Sequence, residues 1–95
     1  MVYKVFQLKH NDEGDKYLFL PYKEGRVAPK SLYDEVYSGE VEPSGSVMSV
    51  LESLYMKFNL NHPSDFRGHS LSVSDIIELD GKNYYCDSFG FVEVK

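Results

Sequence analysis

The sequence predicts an α+β fold, a small curved antiparallel sheet of about five to six strands packed against one main helix. Only one stretch, about residues 46–58, has apolar residues at helical spacing. The remainder holds short runs rich in β-branched and aromatic residues, which are typical of strands. Two of these runs flank Asp80-Gly81, and an Asp-Gly pair in that setting indicates a tight β-hairpin.

The first two runs predict strands at residues 2–9 and 16–20. Pro21 ends the second run, because proline cannot donate a hydrogen bond to a ladder. The polar residues 10–15 between the runs would then form the loop of a hairpin.

The third run, at residues 33–41, can form either a helix or a strand. Leu32 and Val36 are spaced as neighbours on a helix would be. Val36 and Tyr37 beside Gly39 favour a strand instead, because β-branched and aromatic residues are enriched there. We favour a strand at about residues 35–42.

The main helix is predicted from a stripe of apolar residues along one face. Ser44 or Ser46 can cap its first turn by accepting a bond from a free backbone N–H. The helix should end near Asn59, since Pro63 prevents it from continuing. The stripe comprises Val47, Val50, Leu51, Leu54, Tyr55 and Phe58.

The C-terminal third predicts three strands joined by tight turns. Residues 72–79 form the first, and Asp80-Gly81 turns the chain into a return strand at residues 83–87. A turn at Ser88-Phe89-Gly90 leads to a last strand at residues 91–94. The predicted order of elements is therefore β-β-β-α-β-β-β.

Length and charge limit the class of protein. A chain of 95 residues predicts a single domain spanning residues 1–95. The 15 acidic and 10 basic residues give a formal net charge of −5. This balance argues against a broad phosphate-binding surface, because sequence-independent affinity for nucleic acid comes mainly from Lys and Arg. We therefore do not expect nucleic acid as the partner.

Cysteine usage and hydropathy bear on location. Cys86 is the only cysteine, so an intramolecular disulfide framework is excluded. The N-terminus lacks the apolar core of a signal peptide. No apolar run approaches the ~18 residues that a membrane-spanning helix needs. These observations predict a cytoplasmic protein that does not contact a membrane.

Parts of the chain resemble a known family. The resemblance is most specific in two segments. One is residues 58–79, which include Gly68-His69-Ser70-Leu71-Ser72-Val73-Ser74-Asp75. The other is Tyr84-Tyr85-Cys86-Asp87-Ser88-Phe89-Gly90-Phe91. Together with residues 3–8 and 36–40, these segments resemble the YodL-like domain family of Firmicutes. The resemblance implies a small protein or module carried on plasmids and conjugative elements. It implies no catalytic residues.

Cys86, close in sequence to Asp87 and not far from His69, is a weak candidate nucleophile. A reactive cysteine needs a lowered pKa, usually from an imidazolium or a helix N-terminus. Cys86 lies within a predicted strand, no helix follows it, and Asp87 would raise its pKa. We expect it in the core. His10, His62 and His69 lack metal-ligand spacing, so neither a metal nor another cofactor is predicted.

A cluster of short polar residues forms the candidate contact surface. Its serines and aspartates can act locally, by bonding nearby backbone groups and fixing turns. Alternatively, they line a groove on the exposed side of the C-terminal strands and bind a ligand or a protein. The set comprises Arg67, His69, Ser70, Ser72, Ser74, Asp75, Asp87 and Ser88.

Three functions compete. The leading hypothesis is a non-enzymatic binding or regulatory module that contacts a protein, because the sequence contains no catalytic motif and tyrosine is favoured in interfaces. The second is an accessory protein that binds nucleic acid by stacking bases on tyrosines beside Arg67 and Lys82. The third is a small enzyme with a cleft formed by His69, Ser72 and Asp75.

Overall fold

The computed structural model describes residues 1–94 and confirms the α+β class. One main helix packs on an open antiparallel sheet of five strands whose spatial order is β2-β1-β3-β4-β5. The elements in chain order are β1 (Val2–Leu8), the short helix α1 (Asp12–Asp15), a 3₁₀ turn (Lys30–Leu32), β2 (Tyr33–Glu40), α2 (Val47–Leu60), β3 (Ile76–Leu79), β4 (Lys82–Cys86) and β5 (Phe91–Val94).

The central strand β1 pairs with two partners that are distant in sequence. Val5 lies opposite Tyr37 of β2 on one side and opposite Ile77 of β3 on the other. The ambiguous run in the middle of the chain is therefore a strand, beginning two residues earlier than expected. Val36 makes an extra residue in β2, since Val5 pairs with Tyr37 and Phe6 with Glu35.

The prediction of a strand at residues 16–20 is wrong. These residues form turns that follow α1, with the N–H of Tyr17 bonded to the Gly14 carbonyl and that of Leu20 to the Tyr17 carbonyl. Tyr17 and Leu18 pack beneath the sheet instead of extending it. The order β-β-β-α-β-β-β thus loses its second strand, and the predicted hairpin at the N-terminus is replaced by the pairing of β1 with β2.

The predicted start of the first C-terminal strand is also wrong. Residues 72–75 make a turn, in which the Asp75 N–H bonds to the Ser72 carbonyl, and the strand begins at Ile76. The hairpin that follows is confirmed. Asp80 and Gly81 have φ of 47° and 85°, as a primed two-residue turn requires.

Each face of the sheet has its own layer of core. On one face, α2 packs its apolar stripe against β1, β3 and β4, except for Val47 in the first turn, which is exposed. The N-terminus of the helix is capped by the Ser46 side chain. On the other face, the segment at residues 17–33 covers Leu8, Ile76 and Tyr85. The residues of α2 that are fully buried are Val50, Leu51, Leu54 and Phe58.

No helix within residues 1–94 is long and apolar enough to cross a membrane.

Replacing Leu54 with Ala should lower the free energy of unfolding by about 2–5 kcal/mol, because the side chain is 1% exposed and its loss leaves a cavity. Urea denaturation measures this change. The same substitution at the exposed Ser53 is the control and should cost almost nothing. A loss below about 1 kcal/mol for Leu54→Ala would contradict the packing of α2.

Candidate functional site

The eight residues of the predicted contact surface do not form one surface. Ser74 and Asp75, which directly precede β3, are both buried. A second group lies near His10, and a third lies at the turn between β4 and β5. The second group comprises Arg67, His69, Ser70 and Ser72, and the third comprises Asp87 and Ser88.

Gln7 holds the buried group together. Its Nε2 donates to the His69 carbonyl at 2.7 Å and to Asp75 Oδ2 at 3.2 Å, while its Oε1 accepts from the His69 N–H at 3.1 Å. The side chain of Gln7 thus bonds His69 as a neighbouring strand would. A side chain on Gly68 would collide with Gln7 Oε1, so glycine is needed there.

The hydrogen bonds of Gln7 determine the tautomer of His69. Both Nε2 hydrogens of Gln7 have acceptors, so neither is available for His69 Nδ1, which lies 3.3 Å away. Nδ1 is 2.7 Å from the Ser70 carbonyl and therefore carries the proton that it donates there. In the neutral ring, Nε2 is left with a lone pair. It is buried and has no hydrogen-bond partner among residues 1–94.

Asp75 is 0% exposed, and burial raises the pKa of its carboxyl to about 6. The Ser72 N–H, the nearby His69 and the Gln7 amide each lower that pKa and partly offset the burial. Only Oδ2 is bonded, since Oδ1 finds no partner within the described chain. Asp75 therefore acts from inside the protein and cannot touch a substrate or partner directly.

Ser74 is a structural residue. Its φ is 88°, its carbonyl accepts the Tyr33 hydroxyl at 2.6 Å, and its Oγ accepts the Phe19 N–H at 3.1 Å. Burial raises the pKa of the Tyr33 phenol, so the hydroxyl remains a donor. Phe19 also has a positive φ, of 64°. Ser74 thus fastens the turn after α1 to the start of β3, and its side chain is not available for contact.

The residues proposed for an enzyme are brought near one another, but only two reach a common cleft. His69 and Ser72 line a cleft of about 510 Å³ together with His10, Ser70, Leu18 and Phe19. Asp75 is not part of its lining. Cys86 is buried in the core as expected, and burial raises the pKa of its thiol, so the thiolate is disfavoured.

A separate groove of about 320 Å³ lies between α2 and the turn that joins β4 to β5. Asp87 Oδ1 fixes this turn by accepting the N–H groups of Tyr22 and Ser88. Among the residues that the structure describes, two carboxylates and no cation line the groove. Its lining comprises Glu52, Tyr55, Met56, Asp87, Ser88, Gly90 and Phe91. Arg67 and His69 lie elsewhere, so Asp87 and Ser88 form a different surface from theirs.

Two large apolar side chains that sequence reasoning missed are exposed here, Met56 in the lining of the groove and Phe89 outside that lining but on the adjoining turn. Phe89, at the tip of the turn, is 96% exposed, and Met56 on α2 is 58% exposed. The sequence placed Phe89 in a turn and Met56 off the apolar stripe of the helix, and both positions predict exposure. Gln7 was also missed. It continues the series Tyr3, Val5, Gln7 on one face of β1, and a polar residue in that otherwise apolar series was a signal of a buried hydrogen bond.

Acidification should stabilise the protein through Asp75. The folded state raises the carboxyl pKa above its ordinary value of 3.8, so the folded state binds the proton more tightly than the unfolded chain does. The stability that protonation of Asp75 contributes is present at low pH and is lost as the pH rises through about 6. Relative to Asp75→Asn, we expect the wild-type protein to gain about 1 kcal/mol of unfolding free energy between about pH 7.5 and about pH 5.

Urea denaturation across that pH range measures the difference, and Glu42→Gln, at an exposed position, is the control. If the wild-type protein and the Asp75→Asn variant show parallel pH profiles, Asp75 is not a buried, proton-linked carboxyl.

Comparison with known proteins places the chain in a family. No match is found among curated proteins or among solved structures. A family model, the YodL-like domain, matches residues 2–95, which is nearly the whole chain. The match includes the central strand, α2, the cleft that His69 lines and the groove beside α2. The chain therefore belongs to the YodL-like domain family.

Proposed function

We propose that the protein is a small non-enzymatic binding module that docks a partner protein in the groove between α2 and the turn after β4. The observation that carries the proposal is the exposure of Phe89 beside this groove, at 96% of its surface. Exposed aromatic rings and methionines are enriched in protein interfaces, where burying them releases water from apolar surface. Met56 offers a second such side chain, which forms part of the lining of the groove.

The turn that carries Phe89 is fixed rather than loose. Asp87 bonds two backbone N–H groups, and its own N–H bonds to the Gly90 carbonyl at 3.0 Å. Tyr55 packs against Phe91 at 6.0 Å between ring centroids, so the floor of the groove is rigid. A preformed surface loses little conformational entropy on binding, which favours affinity.

The charge of the groove supports a protein over a nucleic acid. Glu52 and Asp87 would repel phosphates, and the chain as a whole carries a formal charge of −5. An enzymatic role has less support, because Asp75 lies outside the cleft that His69 and Ser72 line. Neither alternative has an exposed feature comparable to Phe89.

We further propose that the module regulates a host or element-encoded protein in the cytoplasm of a bacterium. Its support is the resemblance of residues 58–91 to a family associated with plasmids and conjugative elements of Firmicutes. A gene neighbourhood rich in conjugation functions would add to this support.

Affinity capture with matched variants tests the proposed function. The N-terminally tagged protein is incubated with lysates of several bacterial hosts, and the captured proteins are identified by mass spectrometry. We expect Met56→Glu and Phe89→Ala to reduce capture of one specific partner by about tenfold or more, as loss of a central interface residue does. Leu60→Glu is the matched control, because Leu60 is 79% exposed on the same helix but does not line the groove.

The proposal predicts that the wild-type protein and the Leu60→Glu variant retain the same partner. Equal capture by wild-type protein and Met56→Glu would show that binding does not use the groove. Failure to recover any specific protein from several hosts would count against a binding module.

A further inference from the structure

Within the part of the chain that the structure describes, strand β5 is a free edge of the sheet. It is the last strand in the order β2-β1-β3-β4-β5, and its one ladder runs to β4. Within residues 1–94, no other backbone group bonds to it. An edge of this kind offers unpaired N–H and C=O groups to an additional strand.

The phase of the ladder shows which groups are free. The Cys86 N–H bonds to the Asp75 carbonyl, so the backbone groups of Cys86 face β3 and not β5. Cys86 lies opposite Phe91, and bonding alternates along an antiparallel pair. Val92 and Val94 therefore bond to β4, while Phe91 and Glu93 direct their N–H and C=O groups away from the sheet.

The other edge of the sheet is protected. Strand β2 carries a bulge at Val36, which interrupts the regular spacing of its backbone groups. Its carboxylates Asp34 and Glu35 lie 3.0 Å and 3.6 Å from Lys9 and Lys4 respectively. A bulge of this kind is a device that prevents edge-to-edge pairing. Strand β5 has no bulge in its pairing with β4.

The groove runs beside the free edge. Phe91 forms part of its lining, and the wall opposite is made by Tyr55 and Met56 of α2. A strand added to β5 would place every second side chain over this groove, because side chains alternate between the faces of a sheet. Apolar side chains there would contact Met56, and cationic ones would lie near Glu52 and Asp87.

We propose that β5 accepts an extended segment of the partner protein by strand addition, and that the side chains which this segment directs over the groove, at every second position, include both apolar and basic ones. The inference rests on the proposed function, since it places the partner at the same groove. It adds the conformation of the bound segment and its charge. Glu93, whose side chain is exposed on the edge strand itself, lies outside the lining of the groove and adds a carboxylate along the edge that an added strand would follow.

Substitutions at Glu93 separate backbone pairing from charge. Glu93→Pro removes the outward N–H and the carboxylate, whereas Glu93→Gln removes the carboxylate alone. Proline is tolerated on edge strands where its nitrogen faces solvent, so the ladder to β4 should survive. Circular dichroism and thermal unfolding verify that both variants are folded.

The probe is an acetylated, amidated heptapeptide of sequence Thr-Lys-Thr-Val-Thr-Lys-Thr, whose lysines and valine share one face of an extended strand, added at millimolar concentration to the ¹⁵N-labelled protein. We expect chemical-shift changes at Phe91, Glu93 and Met56. We expect Glu93→Pro to weaken binding at least about threefold beyond Glu93→Gln, the effect of losing one hydrogen bond. A peptide methylated at every backbone nitrogen should not bind, and this test remains if Glu93→Pro fails to fold. A peptide with glutamate in place of lysine should bind more weakly.

Several results would overturn the inference. Shifts that map to β2, or no shifts at all, would contradict strand addition at β5. Equal binding by the methylated peptide would show that side chains alone dock in the groove, in which case the proposed function survives and strand addition does not. Equal binding by the glutamate peptide would overturn the basic chemistry of the segment. Loss of the partner by Met56→Glu in the capture experiment tests the proposed function independently.

Discussion

The side-chain amide of Gln7 joins β1 to the segment before β3, and the C-terminal half of the sheet depends on this junction. Gln7 bonds both backbone groups of His69 and also Asp75 Oδ2. The Asp75 carbonyl accepts the N–H of Cys86, in phase with the hairpin that joins β3 to β4 at Asp80-Gly81. Because β5 pairs with β4, the phase of that hairpin determines which groups of β5 face outward. A buried amide whose hydrogen bonds are satisfied is stable, but the loss of any partner would leave a buried polar group unpaired.

Local signals in the sequence were sufficient for α2 and for the hairpin between β3 and β4. The apolar stripe from Val50 to Phe58 repeats with the period of a helix, and Asp80-Gly81 has the backbone freedom that a primed turn needs. Residues 16–20 were predicted as a strand because apolar side chains suit a strand and a covering segment equally well. Tyr17 and Leu18 pack over the second face of the sheet, which only the tertiary fold reveals.

The candidate site was predicted less well, for a related reason. Ser74 and Asp75 were expected at an exposed surface, as polar residues usually are. They are buried because Gln7 and Tyr33, which lie far away in sequence, supply hydrogen bonds that compensate for the loss of water. Ser88 was placed on the right turn, whereas Asp87 was assigned to the strand before it, which ends at Cys86. The apolar residues Phe89 and Met56 are the exposed features that we propose give that surface its binding character. A search for polar chemistry overlooks such residues.

The central claim is that β5 is an open edge beside an apolar, acidic groove, and amide hydrogen exchange of the free protein tests it most directly. The account predicts an alternating pattern, in which the N–H of Val92 exchanges slowly because it bonds to β4. The N–H groups of Phe91 and Glu93 should exchange rapidly because they face solvent. If Phe91 and Glu93 exchange as slowly as Val92, the edge is already covered, and a partner strand could not be added there.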